Sequence, residues 1–141
     1  MTGYLITVEG PDGSGKSTQA RLLAEHLGAI YTREPGGTDL GEKLRDMVLD
    51  TNREELSDRA EALMIAAARA QHVEEVVRPA IEQNKTVVSD RFLESSIAYQ
   101  GYGRGLGPEE ILDISIFATQ GLKADLIVLI DVDAPLAVNR R

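Results

Sequence analysis

The stretch Glu9-Gly10-Pro11-Asp12-Gly13-Ser14-Gly15-Lys16-Ser17-Thr18 follows directly on the apolar run YLITV, residues 4–8. Gly10 to Ser17 fit G-x-x-x-x-G-K-[ST] throughout, a pattern that carries chemistry when a strand precedes it and a helix follows. Glycines at such spacing let backbone N–H groups turn inward around phosphate oxygens, and a helix opening inside the loop adds the positive end of its dipole. Lys16 would reach the β- and γ-phosphates, and the Ser17 hydroxyl suits Mg²⁺. Gly10 through Thr18 are therefore read as a nucleoside triphosphate site, with Lys16 in an exposed loop.

A second set of candidates is cationic: Arg33 in TREPGG, Arg45 in GEKLRD, Arg69 in AAARAQ and Arg91 in SDRF. All fall near the ends of apolar runs or on a helix facing them, and ligands of parallel sheets bind beyond the carboxyl ends of the strands. Clustered guanidiniums there would clamp a second phosphate and neutralise charge on a group in transfer. Any one of them alone would more often be solvated or ion-paired. Together they favour a phosphotransferase with a phosphorylated acceptor. A guanine-nucleotide switch would carry Asn-Lys-x-Asp, and the nearest approach is NKTV, with Val87 where the acid belongs. A kinase with another nucleotide or nucleoside as acceptor, and a non-enzymatic nucleotide switch, stay open as alternatives.

These residues must be positioned by elements that the hydrophobic pattern supplies. Four short apolar runs, YLITVEG, AIYTREP, TVVSDRF and DLIVLIDVD, alternate with longer segments of helical period. None of the four alternates with polar residues, which predicts strands of a parallel sheet covered on both faces. Ala20, Leu23 and Leu27 predict a helix stopped by Gly28. A second helix is expected over residues 41–50, and a long one over 57–83 with a stripe of Leu63, Ala66, Ala70, Val73 and Val77. Ser57 with Glu61 suits its start and Pro79 threatens its end. A last helix follows Pro108, a residue suited to a first turn. The fold class is α/β, a three-layer P-loop NTPase-type fold with a parallel sheet and helices on both faces.

Composition sets the outer limits. With 141 residues, 43% of them apolar, one domain is the default, burying roughly two-thirds of the surface of its unfolded chain. The net charge of −8 argues against a nucleic-acid polymer as partner. There is no cysteine for a disulfide framework or thiolate metal site. No apolar run is long enough to span a membrane, and the simplest reading is a cytoplasmic protein. His26 and His72 lack a second ligand at metal-binding spacing and are read as structural.

EGPDGSGKST, YTREPGGT, DRFLESSIAYQGYGRG and ADLIVLIDV occur in this order along the chain, and in order and spacing they resemble the bacterial thymidylate kinases. The resemblance extends over the whole chain and implies transfer of the γ-phosphate of ATP to dTMP, in dTTP biosynthesis, with Mg²⁺. It implies that Asp12 meets the dTMP 3′-hydroxyl and the metal region, that Arg33 and Glu34 form an acceptor-side pair, and that Arg45 and Arg91 hold the acceptor phosphate. Asp90 resembles the family acid near Mg²⁺ and the transferred phosphoryl group, so Lys16, Asp90, Arg91 and Asp12 form the catalytic set and Ser17 with Asp90 the metal pair.

Arg69, Ser96 and Gln100 fall where the family reads the thymine edge, and Tyr99 where it packs against the sugar. If the segment after Asp90 is helical, Ser96, Tyr99 and Gln100 share one face. On residue type alone, Tyr99 would be a core aromatic and the other two exposed polar residues. Ile65 replaces a phenylalanine common in the family, which makes an aliphatic contact of the expected ring stack. Gly13 stands where the eukaryotic branch has a catalytic arginine, so the resemblance assigns that charge to a mobile lid. Residues 1–141 then form one P-loop kinase domain whose lid and closing elements begin beyond Arg140 and Arg141. The resemblance leaves a homodimer open.

Overall fold

Short runs of β-branched and aliphatic residues pair edge to edge as a four-stranded parallel sheet: β1 (Leu5–Glu9), β2 (Ile30–Arg33), β3 (Val87–Asp90) and β4 (Leu126–Leu129), in the order β2-β3-β1-β4. A computed structural model describes residues 3–51 and 56–139. Arg140 and Arg141, beyond which the lid is expected, lie outside the described residues.

Alternation along β1 and β3 divides the core in two. Val8 and Val88 face α1 (Lys16–Leu27) and pack on Ala20 and Ala24. Leu5 and Val87 point the other way, onto Val73, Val77, Ala80, Phe92 and Leu93. Each such buried Val or Leu contributes roughly 1.5–3 kcal/mol of transfer free energy. The central strands are thus covered on both faces as expected. β4 is not: Leu126, Ile127 and Leu129 are exposed at the sheet edge.

α1 has Gly28 as its left-handed C-cap, as the sequence pattern predicts, but the buried residues are Lys16, Ala20 and Ala24, while Leu27 is exposed. α2 (Asp39–Leu49) is capped by the Thr38 side chain. The long helix starts at the Ser57 cap as α3 (Asp58–His72), passes through a π-helical turn at Val73–Val77 and ends as α4 (Arg78–Glu82). Pro79 has no N–H to donate, and the wide turn falls immediately before it. Leu63 does not belong to the buried stripe: it is 57% exposed, and Glu61, Ala62, Ile65, Ala66, Ala68, Arg69 and His72 are the buried residues of α3. After β3, α5 (Leu93–Ser96) runs into a second π-helical stretch at Ile97–Gly103, then α6 (Pro108–Thr119) and, beyond β4, the unanticipated α7 (Ala134–Asn139).

Candidate active site

Strand register brings the chemistry together. Val8 and Arg33 both align with Asp90, the Arg91 N–H donates to the Val8 carbonyl at 3.0 Å, and the Glu34 N–H donates to the Asp90 carbonyl at 2.9 Å. β1, β2 and β3 therefore end at one level. The Gly-rich loop, TREPGG and Asp90-Arg91 meet along a single rim of the sheet.

Gly15 enters α1 with φ +86°, a left-handed cap without a side-chain hydrogen bond to the first-turn N–H groups. Those donors are available to an anion. Gly13 also has positive φ, and a Cβ there would run into the Ala137 carbonyl. An arginine at this position does not fit this backbone, which agrees with the glycine found there.

Lys16 is not in an exposed loop. It is the first residue of α1, 8% exposed, with Nζ 2.8 Å from Asp90 Oδ1. The Ser17 hydroxyl donates to Asp90 Oδ2 at 2.5 Å. Burial pushes the Asp90 pKa upward, but hydrogen bonds from Lys16 and Ser17, with the charges of Lys16 and Arg91, together hold the carboxyl below its usual value. A hydroxyl and an ionised carboxylate are hard oxygen donors suited to Mg²⁺, which takes one or two protein oxygens and completes its shell with water and phosphate. Among the described residues no group of three or more His, Cys, Asp or Glu could hold a metal; Ser17 and Asp90 are two oxygen donors held side by side.

Beside this rim lies a cleft of about 540 Å³. At its charged end, Arg91 donates to Ser95 Oγ at 2.9 Å and Asp12 Oδ1 at 2.8 Å, with its guanidinium 5.1 Å from the Tyr99 ring centre. Arg91 has φ +72°, a backbone conformation that costs a non-glycine residue about 1–2 kcal/mol. Arg45 reaches the Pro35 carbonyl at 2.9 Å, and burial, then the nearby Arg33, lower its pKa. Glu9 supports this end from below, accepting the Phe92 N–H at 2.8 Å and the Ser95 hydroxyl at 2.5 Å; burial raises its pKa.

The opposite wall is a buried polar network. Arg69 donates to Glu34 at 2.6 Å, Ser115 at 3.1 Å, the Phe92 carbonyl at 3.1 Å and Ser96 at 2.9 Å. Glu34 also meets His72 Nδ1 at 2.9 Å, and His72 Nε2 lies 2.7 Å from the Thr32 hydroxyl. Burial works against the Glu34 charge, yet Arg69 and His72 hold its pKa below normal. His72 is thus a fully buried structural residue. Ile65 and Phe92 add apolar wall.

Asp12, Glu34, Arg45, Ile65, Arg69, Arg91, Ser96, Tyr99 and Gln100 all line the cleft. Ser96 and Gln100 are buried and Tyr99 is 45% exposed, the reverse of what their residue types alone suggest. From Ile97 the helix is π rather than α, a widening often found at functional sites. Arg33 is not brought to the cleft. It donates to Glu42 at 2.8 and 3.3 Å and lines a separate hollow with Arg21 and Tyr31.

Sequence reading missed Glu61 and Arg104. Gln100 Nε2 donates to Glu61 Oε1 at 2.9 Å, and Arg104 pairs with Glu61 Oε2 at 3.2 Å. The spacing held the signal: Glu61, Ile65 and Arg69 lie four residues apart and so share one helix face.

The thymidylate kinase family model matches residues 8–141. The chain is 54% identical to thymidylate kinase of Clavibacter sepedonicus over 97% of its length and 67% of that protein. It is 49% identical to thymidylate kinase of Finegoldia magna, covering 96% of this chain and 70% of that one. The crystal structure of thymidylate kinase from Ehrlichia chaffeensis superposes with a TM-score of 0.89 at 37% identity, over 99% of this chain and 82% of that one. The chain thus spans about two thirds of the length of the curated relatives it matches.

Proposed function

The chain belongs to the thymidylate kinase family, and from that premise we propose that it transfers the γ-phosphoryl group of ATP to dTMP, giving dTDP and ADP. An oxygen of the dTMP phosphate attacks Pγ as the bond from Pγ to the bridging oxygen of ADP breaks. The acceptor phosphate is already ionised, so no general base is required. Catalysis then rests on positioning and on neutralising charge.

In this reading Gly10 to Thr18 cradle the triphosphate and Lys16 turns from Asp90 to the β- and γ-phosphates. Arg91 and Arg45 hold the acceptor phosphate, with Asp12 beside the sugar. Arg69, Ser96 and Gln100 read the base edge, with Ile65 and Tyr99 enclosing base and sugar. Ser17 and Asp90 would hold Mg²⁺, which when bound neutralises charge on the phosphate oxygens. A cytoplasmic location belongs to the reading, since both substrates are met there.

The observation that supports it best is the shared level of the β1 and β3 ends, which sets the Gly-rich loop beside a cleft of about 540 Å³ lined by Arg45 and Arg91. The test measures ADP release with ATP and dTMP together against ATP alone. Release that depends on dTMP supports the reading; equal release in both reactions sinks it.

A further inference from the structure

Gln100 is 6% exposed and lines the cleft, and its side-chain amide has two chemically opposite ends. The NH₂ end is a donor and the carbonyl an acceptor, and either could face a ligand unless something fixes the flip. Glu61 fixes it. A carboxylate paired with a guanidinium offers acceptors only, so the amide must turn Nε2 toward Glu61, as it does at 2.9 Å. Among the described residues, no donor is recorded to Gln100 Oε1.

We infer that Glu61 is a positioning residue for base selectivity: anchored by Arg104, it holds Gln100 with its carbonyl oxygen toward the cleft, so that the bound base must present a donor there. An imide N–H, as in thymine or uracil, meets that requirement. The unprotonated ring nitrogen of cytosine does not, and would set two acceptors against each other. Beside Gln100 stands Arg69, a donor-only group bonded to Ser96, which suits the exocyclic carbonyl flanking an imide N–H. The acceptor and donor therefore alternate along this wall as an imide edge requires. A site built to hydrogen-bond one pattern rejects its complement because buried groups would be left unpaired.

The inference rests on the proposed dTMP kinase activity, and the wild-type protein tests that separately: without dTMP-dependent ADP release, that reading fails. In an active protein the relevant quantity is kcat/KM for dTMP relative to dCMP. Glu61→Gln keeps the shape but offers Gln100 a donor as well as an acceptor. It is expected to lower the dTMP:dCMP ratio about tenfold or more, with the KM for dTMP rising about tenfold and the KM for ATP unchanged.

A merely structural loss is separated by repeating the substitution in a Gln100→Met background. If Glu61 acts through Gln100, Glu61→Gln adds less than about twofold to the ratio there. A tenfold effect in both backgrounds overturns the inference, and so does an unchanged ratio in the single variant. Arg104→Met, at a half-exposed residue, is the second probe and is expected to lower the ratio about threefold. Should Glu61→Gln fail to fold, an unchanged ratio in Arg104→Met overturns the inference.

Discussion

The two ends of the cleft are built on opposite plans. Around Arg69 the polar groups are buried and already bonded to one another: Glu34, Arg69, His72 and Ser96 are all 5% exposed or less. Around Arg91 the partners lie nearer solvent: Arg91 is bonded to Ser95 and to Asp12, itself 66% exposed, and Arg45 to a single backbone carbonyl. One end is closed by buried partners; the other holds cations whose partners are exposed or few. The difference suits two kinds of work, since shape and edge recognition need fixed groups whereas charge neutralisation needs accessible ones. Substitutions at the first end should therefore register in stability as well as in kinetics, and those at the second mainly in kinetics.

Glu34→Ala is expected to have the largest effect. It leaves Arg69 as a buried charge without its carboxylate, which costs about 3–5 kcal/mol, read as a lower midpoint in denaturant. The pH dependence has a defined sign. The folded pKa of Glu34 lies below its ordinary 4.5, so its stabilising contribution is complete above pH 4.5 and declines as the pH falls through the folded value. Glu34→Gln should flatten that acid-side decline. A Glu34→Ala protein as stable as wild type would erase the contrast between the two ends.

Lys16→Met tests the other side. Its kcat is expected to fall by about 10²–10³, together with a loss of stability, because Asp90 is then a buried carboxylate with Ser17 as its remaining close partner. Turnover retained at saturating ATP would remove Lys16 from the triphosphate site.

The smallest effect sharpens the boundary of the cleft. Arg45→Met should lower kcat/KM for dTMP about 10–100-fold, since a charged hydrogen bond to phosphate is worth about 1.5–3 kcal/mol. Arg33→Met should change it less than about threefold, because Arg33 is bonded to Glu42 in another hollow and exposed pairs contribute about 0–1 kcal/mol. Equal losses would place both arginines in one site.

The contrast also explains what the residues alone disclose. The Gly-rich loop and its flanking strand and helix are local, so spacing within ten residues identifies them. The parallel sheet is legible because β1 and β3, buried on both faces, read as unbroken apolar runs. The Arg69 network is assembled from residues 23 to 46 positions apart, and no local period announces such partners. Arg33 and Arg91 both stand at strand ends, yet only one lines the cleft; which way a side chain turns depends on Glu42 and Asp12. Leu63 belongs to the stripe that apolar period alone suggests, but tertiary packing leaves it exposed and buries Glu61 and Arg69 instead. A buried charge is found from its partners, and these lie far along the chain.

Arg91 carries a consequence for how this sequence can drift. Its left-handed φ costs roughly 1–2 kcal/mol that glycine would not incur, while glycine's extra freedom in the unfolded chain takes back about 0.5–1 kcal/mol. The backbone therefore gives arginine no advantage at this position, and what favours it is the side chain, bonded to Ser95 and Asp12 and set against Tyr99. In a library selected for a folded chain alone, residue 91 should tolerate glycine, which trades those contacts for a relaxed backbone, while the buried pair of Glu34 and Arg69 stays fixed.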